Sequence, residues 1–240
     1  MKVLVADGEY MSCHIVQQTI AHPSIQIQLA SSEKEISAEL DSADIPRLLI
    51  LDAKTKKFDA MEICRKVRQS KNPHYIYIIL MMPETRKADL LPAFDAGADD
   101  YITKPLNRDE LYARVRVARR VLEKEEHLSG IISEWRMMMD NLPFGVACIG
   151  RNDELIRVNK VFVEMLGEDI KEMLGRNLLA STLRRSTDLA KLRDSVRQAR
   201  PFDWVEMELH GKNGFKRSLV VWGRPMKTGE LVFQIVTATE

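Results

Sequence analysis

The sequence predicts two domains of different class. A doubly wound α/β domain with a five-stranded parallel sheet comes first, then a helical linker, then an α+β domain with an antiparallel sheet. Up to about residue 120, short β-branched apolar runs alternate with helical patterns, as parallel strands covered on both faces require. From about residue 140 the apolar runs pair through short polar turns instead, the mark of antiparallel hairpins. A chain of 240 residues also suits two domains, each of about 100–150 residues.

In the first half the expected strands are Val3–Ala6, Ile25–Leu29, Leu48–Leu51, Ile76–Met81 and a short one at Tyr101–Ile102. Helix starts lie between them. Ser32 with Glu35, Asp59 with Glu62 and Asn107 with Glu110 each place a capping residue three positions before an acid, which satisfies the free N–H groups of a first turn. Sheets of this kind bind beyond the carboxyl ends of their strands, a rule that selects Asp7, Asp52, Met82 and Lys104.

The helix opened by Asn107 is expected to run on as a linker over residues 122–141. Val121, Leu128, Ile132, Trp135, Met139 and Leu142 recur in steps near those of a two-stranded coiled coil, with Glu125 in one seam position. Leu111, Val115 and Ala118 form an earlier stripe out of phase with it, and Ser129-Gly130 marks an expected break or hinge. In the second half the expected strands are Gly145–Ile149, Glu154–Val158, Asp203–His210, Phe215–Trp222 and Leu231–Val236. Arg151-Asn152-Asp153 and Gly211-Lys212-Asn213-Gly214 supply hairpin turns, Asn159 opens a helix that ends at Gly167, and another short helix ends at Gly175.

Composition narrows the function classes. Lys and Arg number 36 against 35 Asp and Glu, so no net field draws the chain to nucleic acid or to an anionic membrane. The longest apolar runs, such as Ile76–Met82, are strand-sized and far short of a membrane span. The start reaches an acid too soon for a signal peptide. Cys13, Cys64 and Cys148 stand apart, without a CxxC or a His/Cys cluster. They read as small buried residues in a reducing cytoplasm.

Three stretches of the first half carry a family likeness: KVLVADGE around Asp7, LLILDA ending in Asp52 with FDAMEICRKVR after it, and AGADDYITKP closing on Lys104-Pro105. Together they resemble the receiver domain of two-component response regulators over residues 1–121. The resemblance implies a flavodoxin-like fold and a histidine kinase or phosphotransfer protein as partner. It makes Asp52 the phosphoacceptor and Lys104 the lysine that contacts the phosphoryl group, with Tyr101 as an aromatic that reorients on activation. It also implies a Mg2+ site formed by Asp7, Asp52 and the backbone carbonyl of Lys54. The chemistry needs these types together. A carboxylate attacking a phosphoryl group among other acids needs a cation to neutralise them, and an ammonium balances the phosphoryl oxygens.

Two parts of the family pattern are missing. The second acid of the metal pair is Gly8, and the switch hydroxyl is Met82, which has no hydrogen bond to offer. Residues 53–58 read Ala-Lys-Thr-Lys-Lys-Phe where the family carries a Pro-Gly turn. Degraded or absent phosphorylation is therefore the expectation, and Mg2+ binding is doubtful. One reading puts the Lys54 ammonium between Asp52 and Asp7 as a built-in cation. The other leaves Lys54, Lys56 and Lys57 as a solvated loop, or one that meets an acidic partner.

The second half carries MDNLPFGVACIGRNDELIRVNKVFVEMLG, then EMLGRNLL, then VFQIVTATE. These resemble a PAS domain, with the domain proper expected at 142–240. Leu178 stands where flavin photosensors of that family carry a reactive cysteine, and no histidine occurs between His127 and His210 to hold haem. His210 reads as a solvent-facing strand end. Trp204, Met207, Trp222 and Phe233 read as core in preference to a ligand cavity. The PAS ligand is unknown from sequence.

The expected function is signal reception at Asp52 and relay through the linker helix to the PAS domain. The protein is expected to be cytoplasmic and homodimeric through linker and PAS, not an enzyme, and to have no nucleic-acid or membrane partner. Two alternatives stand beside this. One is a pseudo-receiver scaffold that works without phosphorylation. The other is the sensory front half of a larger diguanylate cyclase or kinase, suggested by the ending Val236-Thr237-Ala238-Thr239-Glu240.

Overall fold

The computed structural model describes residues 1–8, 10–70, 72, 74–85, 90–150, 154–166, 169, 171, 174–175, 198, 202–210, 216–225 and 231–237. The chain divides into two compact units, Met1–Gly130 and Ile131–Glu240.

The first unit alternates strand and helix as expected: β1 (Lys2–Ala6), α1 (Tyr10–Ile20), β2 (Gln26–Ala30), α2 (Glu33–Leu40), β3 (Leu48–Asp52), α3 (Ala60–Gln69), β4 (Tyr77–Pro83), α4 (Leu90–Asp95) and β5 (Asp100–Lys104). The long helix α5 (Arg108–Asp140) follows. The five strands are parallel, in the order β2-β1-β3-β4-β5. Side chains alternate between the two faces of the sheet. Leu4, Leu49, Leu51, Ile78 and Leu80 pack with Ile36, Ile63, Cys64 and Ala93 of α2, α3 and α4. Val3, Val5, Ile50, Ile79 and Met81 pack with Val16 of α1 and Leu111, Val115, Ala118 and Leu122 of α5. Both faces are thus covered, and each large side chain so buried contributes about 1.5–3 kcal/mol.

The expected caps form. Ser32 Oγ accepts from Glu35 N–H at 3.4 Å, and the Glu35 carboxylate reaches back to the N–H of Ser31 at 2.6 Å. Asp59 Oδ1 accepts from Met61 and Glu62 N–H at 2.9 and 3.2 Å. Asn107 Oδ1 accepts from Asp109 and Glu110 N–H at 2.9 and 3.1 Å. Each cap fixes where a helix leaves its loop, and so where the preceding strand end points. Helix α5 corrects one expectation: it runs unbroken through Ser129-Gly130. A side chain at Gly130 would meet nothing within 4 Å, so nothing packed there bends the helix.

The second unit holds β6 (Gly145–Ile149), β7 (Leu155–Val158), α6 (Lys160–Leu166), β8 (Phe202–His210), β9 (Lys216–Pro225) and β10 (Leu231–Thr237). They form an antiparallel sheet in the order β7-β6-β10-β9-β8. Asn159 anchors its first hairpin and is 1% exposed. Its Oδ1 accepts from Val146 and Phe162 N–H at 2.8 and 3.0 Å, and its Nδ2 donates to the carbonyls of Met139 and Phe144 at 2.8 and 3.0 Å. A buried amide with its donors and acceptor engaged locks the strand, the turn and the start of α6 together.

Several second-half expectations fall outside the described residues: the turns at 151–153 and 211–214, the helix end at Gly167, the position of Leu178, and the side chains of Trp204, Met207, His210, Trp222 and Phe233.

Candidate functional site: a carboxylate pair bridged by one lysine

Strands β1 and β3 are neighbours, with Ala6 opposite Leu51. The next residue on each is an acid, Asp7 and Asp52, and each is 3% exposed. Strand β5 ends at Lys104, whose bond to Pro105 is cis. The Lys104 Nζ lies 2.8 Å from Asp7 Oδ2 and 3.2 Å from Asp52 Oδ1. One ammonium therefore serves two buried carboxylates. The backbone N–H of Lys54 also donates to Asp52 Oδ1 at 3.0 Å.

Burial pushes the Asp52 carboxyl above its ordinary value, and the charge of Asp7 adds to this; the Lys54 N–H and Lys104 oppose it without cancelling it. Burial works against the Lys104 charge, but the hydrogen bonds and charges of Asp7 and Asp52 outweigh it and hold the amine above its ordinary value. Beside the pocket, burial raises the Cys13 thiol, with Asp7 contributing. Burial and a shared cation make this site sensitive to any added charge.

The sequence-selected residues divide into those brought together and those kept apart. Asp7, Asp52 and Lys104 converge. Lys54 joins them through its backbone, but its side chain is exposed. This corrects the reading of Lys54 as a built-in cation: the ammonium between the acids belongs to Lys104, because β5 delivers it there. The position of Gly8 is closed from across the pocket. A β-carbon at residue 8 would lie 2.8 Å from Thr55 Oγ1. That hydroxyl accepts from Lys57 N–H at 3.2 Å.

Met82 is 2% exposed and belongs to the apolar layer beneath the pocket. Tyr101 is half-buried against the same layer. Its ring meets Phe94 edge-on, with centroids 6.2 Å apart. The Arg114 guanidinium of α5 lies 5.3 Å from its centroid and also pairs with Asp100 and Glu110. A cation over an aromatic face adds a modest attraction.

As a Mg2+ site the pocket is a poor fit. Mg2+ demands a near-octahedral oxygen shell and yields its waters reluctantly. Here both carboxylates are already bridged by Lys104. Among the described residues no cluster of three or more His, Cys, Asp or Glu is placed to hold a metal ion.

Sequence reasoning missed Thr55, Arg114 and a second polar cluster formed by Arg68, Tyr75 and Asp99. The doubled acid Asp99-Asp100 was the available signal, since acids at the start of a buried strand need partners.

Comparison with known proteins agrees with the fold. Residues 3–116 match the model of the response regulator receiver domain, and residues 133–200 match that of a PAS domain. The chain is a two-component receiver domain followed by a PAS domain. It is 25% identical over 178 residues to Response regulator MprA of Mycobacterium avium (strain 104), covering 74% of this chain and 77% of that one. Among solved structures it is similar to a two-component response regulator from Clostridium difficile, at 28% identity and a TM-score of 0.44, covering 50% of this chain and 96% of that chain. It is also similar to the PAS domain of an HTR-like protein from Haloarcula marismortui, at 18% identity and a TM-score of 0.43, covering 48% of this chain and 98% of that chain. No helix among the described residues is long and apolar enough to cross a membrane.

Proposed function

We propose that this is a cytoplasmic signal-transduction protein whose receiver takes its input at Asp52 and relays it along α5 to the PAS domain. The carrying observation is the Lys104 ammonium at 2.8 and 3.2 Å from two buried carboxylates. In this reading Asp52 accepts a phosphoryl group from a histidine kinase or phosphotransfer protein. A carboxylate oxygen forms the new bond to phosphorus as the bond to the donor nitrogen breaks. Lys104 then moves its charge from Asp7 towards the phosphoryl oxygens. The chain performs no catalysis beyond accepting that group.

The input is degenerate on this reading. Met82 offers the phosphoryl group no hydroxyl, and Gly8 leaves the pocket one acid short. The same two residues favour a second reading, a scaffold recognised by its surface without phosphorylation. Acetyl phosphate followed by intact-mass measurement separates the two. A gain of one phosphoryl group in the wild type, absent in Asp52→Ala, supports the first; no gain supports the scaffold.

Dimerisation through α5 belongs to the same proposal. Val121, Leu128, Ile132 and Trp135 are 39%, 55%, 60% and 62% exposed. Their spacing makes a seam that a second copy of the helix would cover. Light scattering on the full chain tests this: the wild type is expected as a dimer and Ile132→Glu as a monomer. A monomeric wild type overturns it.

A further inference from the structure

The geometry points to Gly8 and Thr55 as a matched pair that closes this pocket to a divalent cation and leaves the Lys104 ammonium as its cation. The inference concerns the same pocket as the signalling reading, but does not need Asp52 to be phosphorylated.

A β-carbon at residue 8 would stand 2.8 Å from Thr55 Oγ1, closer than such contacts occur. The hydroxyl is held there by the N–H of Lys57 at 3.2 Å. A side chain at residue 8 therefore requires Thr55 to leave its turn and rotate away. The place of the absent acid has been taken by a neutral oxygen from the opposite loop.

Charge follows from the same exchange. An acid at residue 8 would set a third carboxylate beside Asp7 and Asp52, leaving an excess of two negative charges over Lys104. A divalent cation matches that excess. With Gly8 the excess is one, and Lys104 already touches both remaining acids. A Mg2+ ion beside the ammonium would leave the site positive, and one that displaced it would break both of its ion pairs. It would gain only two carboxylates while shedding tightly held water. Lys104 instead supplies the pocket's cation from within and leaves one net negative charge, with Thr55 closing the space where the missing acid would sit.

The test is calorimetric titration of Mg2+ into the full chain, for wild type, Gly8→Asp, Thr55→Ala and the double variant. Thermal melts confirm that each folds. No binding is expected at millimolar Mg2+ for wild type or Thr55→Ala. Gly8→Asp alone should bind weakly, and the double variant about tenfold more tightly than Gly8→Asp, because residues in contact do not act additively. Saturable millimolar binding by the wild type overturns the inference. So does a Gly8→Asp affinity equal to that of the double variant, which would mean that Thr55 does not hold the seat. If the variants fail to fold, Mn2+ broadening of wild-type NMR signals decides alone: broadening of Asp52 and Lys104 overturns it, and unbroadened signals uphold it. Phosphoryl labelling enters neither readout, so a failed signalling reading would leave these outcomes unchanged.

Discussion

Asp99 and Asp52 lie at opposite ends of the same parallel sheet and are satisfied in opposite ways. Asp99, just before β5, accepts from Arg68 Nη2 at 2.6 Å, from Ile78 N–H at 2.7 Å and from the Tyr75 hydroxyl. Arg68 is engaged in turn, donating to the carbonyls of Gly97 and Ile76 at 2.8 and 2.7 Å. Gly97 sits at φ 105°, where a β-carbon would also strike the Arg68 side chain. That end has donors in excess of its acid. At the other end, Asp7 and Asp52 share the ammonium of Lys104. A cluster rich in donors holds one arrangement and stabilises the fold. A cluster short of positive charge rearranges when charge is added, which suits a place where a signal enters.

If that contrast is right, Asp99→Ala should carry the largest penalty. It strands a half-buried guanidinium, a phenol and an N–H at once, a loss of about 3 kcal/mol read as a lower urea midpoint. Lys104→Ala should cost less, about 2 kcal/mol, because one of the two stranded carboxylates can take up a proton. An equal or larger loss for Lys104→Ala would erase the distinction. Asp52→Asn should go the other way and stabilise by about 1 kcal/mol, since burial already disfavours that carboxylate and Asp7 would then have Lys104 to itself. A destabilised Asp52→Asn would show that the pocket, too, is a structural clasp.

The smallest effect concerns pH. Burial first, and the bond to Asp99 second, push the Tyr75 phenol from 10.0 up to about 12. The folded state thus holds this proton more tightly than the unfolded chain. The resulting stability is whole below pH 10.0 and is lost as pH rises to about 12. Urea midpoints of wild type minus Tyr75→Phe should fall across that window. A flat difference would mean that Tyr75 contributes nothing to the donor-rich end.

Much of this was legible in the chain. The strand runs, the capping residues Ser32, Asp59 and Asn107, and the acids and lysine at strand ends all depend on local spacing. So does Asn159, whose place before an apolar helix marked it as a cap. What escaped were contacts between segments far apart in sequence. Lys54 and Lys104 were both available to Asp52 on paper. Lys54 is the nearer in sequence, yet its side chain is exposed while Lys104 is carried in by β5. The Ser129-Gly130 break failed for a related reason. A single glycine costs a helix about 1 kcal/mol, which the flanking turns of a long helix absorb.

Periodicity, caps and the apolar or acidic character of each strand end determined the two fold classes and nominated the pocket, because these properties act within a few residues. Which ammonium bridges the acids, which hydroxyl fills the place beside Gly8, and how Arg68 meets Asp99 were decided only by tertiary structure. Each depends on a distance between elements, and that distance exists only once the sheet has ordered its strands and the helices have packed on both faces.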